Sequence, residues 1–161
     1  MATKSRLDSR TARTLRAMYP GGRGTPLARR LSHLWSWTFA RGWAGRRWVT
    51  LEVTGRRSGQ PRLFPLGMAD LHGRWYLVSM LGECAWVRNV RAADGAATLI
   101  RKRRRPVRLV EVPVAQRAPI LQRYLNTVPG GRPHIPVEPD APLAEFAAVA
   151  DRYPVFEVRP A

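Results

Sequence analysis

The sequence predicts an α+β domain built on a closed or nearly closed antiparallel sheet. Three observations carry this expectation. Runs that alternate apolar and polar residues and are rich in β-branched and aromatic side chains recur at 48–54, 62–71, 73–80, 96–101, 105–112 and 154–159. Their short separations suit hairpins, not the long crossovers that parallel strands need. Helix-period stretches fall between the hairpins without alternating regularly with the strands.

Taken in order, residues 1–25 are polar and basic, and Pro20, Gly21, Gly22 and Gly24 interrupt any regular element. They form an N-terminal segment expected to be flexible, ahead of a single domain over 26–161. A helix starts near Thr25 with Pro26 in its first turn. Its apolar residues, Leu27, Leu31, Leu34, Trp35, Trp37 and Phe39, are expected mostly on one face, packed on the sheet, and Gly42 and Gly45 end it. His72-Gly73 is a tight hairpin turn. A short helix covers 84–92. The basic run Arg101-Lys102-Arg103-Arg104 forms the tip of the hairpin joining 96–101 to 105–112. Residues 114–127 read as a helix carrying Val114, Ile120, Leu121, Tyr124 and Leu125, and 129–141 as a Pro- and Gly-rich loop. A short helix at 142–151 precedes the last strand.

The chain has 161 residues, enough to bury a core without a disulfide or structural metal. Its one cysteine, Cys84, allows no internal disulfide, which fits a reducing, cytoplasmic setting. The N-terminus has no apolar stretch of signal-peptide type, and no run approaches the ~20 apolar residues that span a bilayer. The net charge of +17 points to an acidic partner: nucleic acid, anionic lipid or a phosphorylated cofactor. Only Lys4 and Lys102 are lysines, so part of this excess is compositional arginine. Against a specific nucleic-acid binder, the chain lacks an RNP motif, a zinc finger and a clear helix-turn-helix. Trp35, Trp37, Trp43 and Trp48 beside arginines resemble an interfacial surface, so weak peripheral attachment to an anionic membrane is a further expectation.

The stretch with the most chemistry is Gly55-Arg56-Arg57-Ser58-Gly59-Gln60-Pro61-Arg62, between two strands. Its glycines let the backbone turn tightly and present N–H groups to an anion. Its arginines match phosphate geometry. The same residues also suit a plain hairpin loop with solvated arginines. The three histidines, His33, His72 and His134, show no metal-ligand spacing.

From Val53 to Leu66 the run V-T-G-R-R-S-G-Q-P-R-x-x-P-L resembles the deazaflavin (F420)-dependent nitroreductase family, whose pattern is roughly T-T-G-R-K-S-G-x-x-R-x-x-P-L. A second block resembles the family's V-A-S, Gly-containing loop and W-x-x-N-L: here Val78-Ser79, Gly82 and Trp86-Val87-Arg88-Asn89-Val90. The end, Tyr153-Pro154-Val155-Phe156-Glu157-Val158, resembles the family's closing strand. The resemblance spans about residues 45–160. It implies a split β-barrel of six to seven mostly antiparallel strands, coenzyme F420 as hydride carrier, and a small quinone, nitro or enone substrate. It implies that Gly55 to Arg62 hold the cofactor's phosphate and acidic glutamyl tail, that Phe64 and Pro65 line the pocket, that Ser79 sits near the ring, and that Met80 belongs to the cofactor site at the position of a phosphate donor. Trp86 and Asn89 would close the pocket. Ser79 and His134 are the candidate proton donors. Met80 stands where the family commonly has a lysine, the loop from Ser79 to Trp86 is shorter, and 127–134 replaces a tyrosine-rich segment. Cofactor binding therefore transfers better than substrate. The alternatives are a non-catalytic cofactor-binding protein or a split barrel that uses FMN or haem.

Overall fold

The computed structural model describes residues 25–161 together with Arg13, Thr14 and Ala17. The basic segment expected over 1–25 therefore lies almost wholly outside the described residues. The first described helix with full bounds, α1, covers Pro26–Ala40. Thr25 caps it, its Oγ1 accepting from the Ala28 N–H at 3.2 Å, and proline sits in the first turn, where its missing N–H costs nothing.

Six strands follow: β1 (Trp48–Thr54), β2 (Pro61–Leu71), β3 (Arg74–Val78), β4 (Ala96–Arg101), β5 (Arg103–Glu111) and β6 (Val155–Pro160). All pairings are antiparallel in the order β1-β2-β3-β6-β5-β4, and β1 also pairs with β4, so the sheet closes on itself. Closure removes the unpaired edges that invite aggregation. The β2–β3 turn is His72-Gly73, with φ of 49° and 75°, the paired left-handed geometry of a two-residue hairpin.

Among the described residues, four α-helices with full bounds complete this α+β split barrel. α2 (Ala85–Ala92) sits between β3 and β4; α3 (Ala118–Thr127) and α4 (Leu143–Val149) sit between β5 and β6. The single helix expected over 114–127 is broken. A 3-10 turn at Val114–Gln116 precedes α3, because Pro119 has no N–H to continue a helix and takes a first-turn position. Val114 is left exposed.

Strand alternation divides the apolar residues into two cores. One lies inside the barrel: Val49, Leu51 and Val53 meet Met68, Leu77, Leu99, Leu109 and Phe156, and α2 adds Trp86, Val87 and Val90. The other lies between the barrel's outer face (Ala69, Tyr76, Val78, Val155) and Leu121, Tyr124 and Leu125 of α3 with Phe146 of α4.

Two expectations about surface segments are corrected. The turn between β4 and β5 is narrower than the four-residue basic tip. Lys102 alone turns, at φ 60°, while Arg101 and Arg103 already pair across the ladder. α1 does pack on the barrel, but of the predicted set only Phe39 is buried. Ala28, Ser36 and Phe39 are its buried residues, whereas Leu27, Leu31, Leu34, Trp35 and Trp37 are exposed. Small side chains at the contact let the helix approach closely enough for Thr50 Oγ1 to donate to the Ser36 carbonyl at 2.5 Å.

Ser36 Oγ is buried without a hydrogen-bond partner among the described residues. Ser36→Ala removes that uncompensated hydroxyl and improves helix propensity, so it is expected to stabilise the protein by roughly 0.5–1 kcal/mol. A thermal melt checks the sign.

Asp70 links β2 to its surroundings: Arg47 donates to its carboxylate at 2.7 Å and Arg123 of α3 at 3.1 Å. The Arg47 hydrogen bond, with help from Arg123, holds the carboxyl pKa down to about 2. A depressed carboxylate stabilises the fold above its unfolded pKa of about 3.9 and loses that contribution as pH falls toward 2. Asp70→Asn is therefore expected to be less stable than wild type at neutral pH, with the gap closing between about pH 4 and pH 2. Parallel melts across that range test it.

Candidate functional site

The segment joining β1 to β2 is a compact loop held by its own backbone. Gly55 N–H donates to the Gln60 carbonyl and Gly59 N–H to the Gly55 carbonyl, each at 2.8 Å. Gln60 N–H donates to Ser58 Oγ at 3.3 Å. Gly55 is buried beneath the loop. A Cβ there would lie 2.9 Å from Ser58 Oγ, 3.1 Å from the Gln60 carbonyl oxygen and 3.2 Å from Arg62 Cγ, so only glycine fits. Gly59 meets a different requirement, a φ of 65°.

The two adjacent arginines have different surroundings. Asn89 Oδ1, from α2, accepts from both the Arg56 N–H (3.3 Å) and the Arg56 guanidinium (3.1 Å). Asn89 itself is buried, and the bond joins the loop to the helix that seals the barrel. Arg57 is exposed, and its guanidinium has no hydrogen-bond or ion-pair partner among the described residues. The same holds for the N–H groups of Arg57 and Ser58. The expected nest of N–H groups is thus smaller than the motif suggests, because the N–H groups of Gly55, Arg56, Gly59 and Gln60 are satisfied within the protein. Residues 53–69 contain no Asp or Glu, and Arg56, Arg57 and Arg62 have no ion-pair partner among the described residues. Unpaired N–H groups beside unpaired guanidinium fit a phosphate or carboxylate.

Phe64 and Pro65 fall on opposite faces of β2, as consecutive strand residues must. Phe64 packs against the interior core and is partly open to solvent. Pro65 lies opposite Thr50, which is itself bonded to α1. Pro61 and Arg62 open β2 opposite Thr54 and Val53. Trp86 is buried in the barrel, its ring centroid 5.5 Å from that of Phe156, so it closes the barrel by packing. Ser79 is buried as well. Its Oγ donates to the Gly82 carbonyl at 2.6 Å and lies 3.2 Å from Cys84 Sγ, which shapes the loop leading into α2.

Comparison with known proteins places this geometry in context. The family model described as F420H(2)-dependent quinone reductase matches residues 31–133, more than half of the chain. The chain belongs to the F420H2-dependent quinone reductase family. It is therefore an F420-dependent reductase, an oxidoreductase by family. Among curated proteins none matches the chain. Among solved structures, an F420-H2 dependent reductase is similar at 24% identity over 71% of this chain and 95% of that one, with a TM-score of 0.48. A protein of unknown function from Agrobacterium tumefaciens aligns at 12% identity over 71% of this chain and 48% of that one, with a TM-score of 0.52, which supports the fold. A conserved hypothetical protein from Mycobacterium tuberculosis aligns at 18% identity over 75% of this chain and 77% of that one, with a TM-score of 0.48.

In this quinone reductase relative, Met80 packs against the outer core, where a lysine would instead offer a cation. His134 belongs to the helical layer: its carbonyl accepts from Tyr153 Oη at 3.0 Å and its N–H donates to Gly131. Sequence reasoning missed Arg117. It is buried and donates to the carbonyls of Val112, Ala150 and Tyr153 and to Glu111. Nothing in the pattern around it distinguishes it from the other arginines. It also missed that Glu111 and Glu83 both pair with Arg91 of α2.

Proposed function

We propose that the Gly55–Arg62 loop holds the phosphate and acidic tail of F420, and that the substrate is a small quinone. The observation that carries this reading is that the Arg57 guanidinium and the N–H groups of Arg57 and Ser58 have no partner among the described residues, on a loop that Asn89 anchors to α2. Reduced F420 supplies a hydride, which together with a proton converts a quinone to its hydroquinone. The protein's task is then to bind, orient and exclude water. Arg57 and Arg62 supply charge for the acidic end of the cofactor, and Arg56 supplies loop geometry through Asn89. Phe64 offers apolar surface at the partly open side of the interior core, where a flat ring can rest.

The Ser79 hydroxyl is committed to the Gly82 carbonyl. Burial pushes the Tyr124 hydroxyl well above the usual phenol range, which makes it a poor acid. In this reading the proton that accompanies the hydride comes from solvent. The test is anaerobic oxidation of F420H2 followed by absorbance, with a naphthoquinone, a nitroaromatic and an enone offered in turn. The quinone is expected to turn over fastest. Preference for the nitroaromatic or the enone would overturn the substrate assignment.

A further inference from the structure

Helix α2 is tied down from two sides. On one, Asn89 Oδ1 accepts from the Arg56 N–H and guanidinium. Arg91 lies two residues further on, about 200° around the helix axis. Its fork meets two carboxylates. Nε donates to Glu111 Oε2 at 2.8 Å and one terminal nitrogen to Glu111 Oε1 at 2.7 Å, while the other terminal nitrogen donates to both oxygens of Glu83 at 2.8 Å. Glu111 ends β5, and Glu83 lies in the loop that enters α2. Among the described residues, no other side chain of α2 is hydrogen-bonded to a strand or to the Gly55–Arg62 loop. Arg88 instead donates to the Glu83 carbonyl at 2.9 Å.

The Glu111 end of this link is itself fixed. Arg117 donates to its carboxylate at 3.1 Å and is buried among three backbone carbonyls. The Arg91 fork holds the Glu111 carboxyl below the usual carboxylate range, against the burial that raises it, so Glu111 stays ionised at neutral pH.

α2 needs such a link. It spans only Ala85–Ala92, and Cys84 at its cap position makes no side-chain cap hydrogen bond. Trp86, Val87 and Val90 set how deeply the helix sits in the barrel. Apolar contact is non-directional, so the rotation of the helix about its axis falls to its polar links.

We propose that Arg91 is a positioning residue for cofactor binding: by tying α2 to Glu111 and Glu83 it fixes the rotation of the helix, so that Asn89 meets Arg56 and the loop presents the Arg57 guanidinium and the Arg57 and Ser58 N–H groups outward. Arg91 acts through Asn89, and its role rests on the reading of the Gly55–Arg62 loop given above.

The first measurement needs no cofactor. Amide hydrogen exchange compares the Arg56 N–H, protected by Asn89, with the Gly55 and Gly59 N–H groups, protected by the loop's own carbonyls. In Arg91→Met the Arg56 N–H is expected to exchange about tenfold faster or more, with Gly55 and Gly59 unchanged. Glu111 keeps Arg117 in this variant, so no carboxylate is stranded. In fluorescence titrations Arg91→Met is expected to bind F420 about threefold to tenfold more weakly, and to bind the same deazaflavin lacking phosphate and glutamyl tail as wild type does. Arg91→Met/Asn89→Leu is expected to bind F420 no more weakly than Asn89→Leu alone, because both substitutions break one link. Arg91→Lys recovers only part of the loss, since an ammonium cannot reproduce the fork. Glu111→Gln separates positioning from charge. It makes the chain more positive, which by itself favours an anionic cofactor, yet it is expected to bind F420 less tightly. Wild-type exchange of the Arg56 N–H in Arg91→Met, additive losses in the double variant, or tighter F420 binding by Glu111→Gln would overturn the role of Arg91 and leave the loop reading standing. Equal wild-type affinity for intact and truncated cofactor would sink the loop reading itself, and the role of Arg91 with it.

Discussion

Replacing Arg56 and Arg57 together with alanine is expected to weaken F420 binding by about tenfold to a few hundredfold, at about 1.4 kcal/mol per decade. A charge-assisted hydrogen bond contributes roughly 1.5–3 kcal/mol, and solvent exposure of the loop pulls each bond toward the lower end. The two residues should not contribute alike. Arg57→Ala removes an unpaired cation and should carry most of the salt-sensitive loss. Arg56→Ala releases the guanidinium bond to Asn89 and acts through loop geometry. Asn89→Leu leaves every cation in place but strips the acceptor shared by the Arg56 N–H and guanidinium. It should lower affinity by about threefold to tenfold, with little dependence on salt. Turnover at saturating cofactor should change little in Arg57→Ala, because the cation acts on binding. Fluorescence titrations at two salt concentrations separate these effects. Equal affinity in wild type and the double variant would reduce the loop to a hairpin with solvated arginines.

The largest expected loss of stability comes from Arg117. Its guanidinium is buried and bonds three carbonyls, of Val112, Ala150 and Tyr153, as well as the Glu111 carboxylate. It therefore ties the end of β5, the turn before β6 and the start of α3 into one unit. Arg117→Met fills much of the volume but leaves those carbonyls short of a donor. Glu111 keeps its partner Arg91, so no carboxylate is stranded. The cost is expected at about 3 kcal/mol, which for a chain of this size lowers the melting point by roughly 6–12 °C. Arg117→Lys should recover only part of it, because a single ammonium cannot reproduce a planar fork directed at several acceptors. A loss below about 1 kcal/mol would mean that water replaces the guanidinium at no net cost.

The barrel was legible in the sequence because its strands are short, alternating and joined by hairpin turns. WVTLEVT at 48–54 and the His72-Gly73 turn appear in the structure where the pattern puts them. The signals that failed were those in which the contact partner lies elsewhere in the chain. Six large apolar residues on α1 argued for burial, yet of these only Phe39 is buried, and the rest of the contact is made by Ala28 and Ser36, since closeness at the interface depends on small side chains and on Thr50 across the gap. The candidate loop was legible as glycines and arginines. The difference between Arg56 and Arg57 was not, because Asn89 lies 33 residues away. Phe64 and Pro65 were grouped by adjacency, whereas the strand period separates them.

The central claim is that the loop from Gly55 to Arg62 recognises the acidic end of F420. The most direct measurement compares binding of F420 with binding of the same deazaflavin lacking phosphate and glutamyl tail, in wild type and in Arg57→Ala. The account predicts that wild type binds intact F420 more tightly than the truncated form and that Arg57→Ala largely removes this difference while leaving affinity for the truncated form unchanged. Equal affinity of wild type for both forms, or an equal loss for both on mutation, would contradict it.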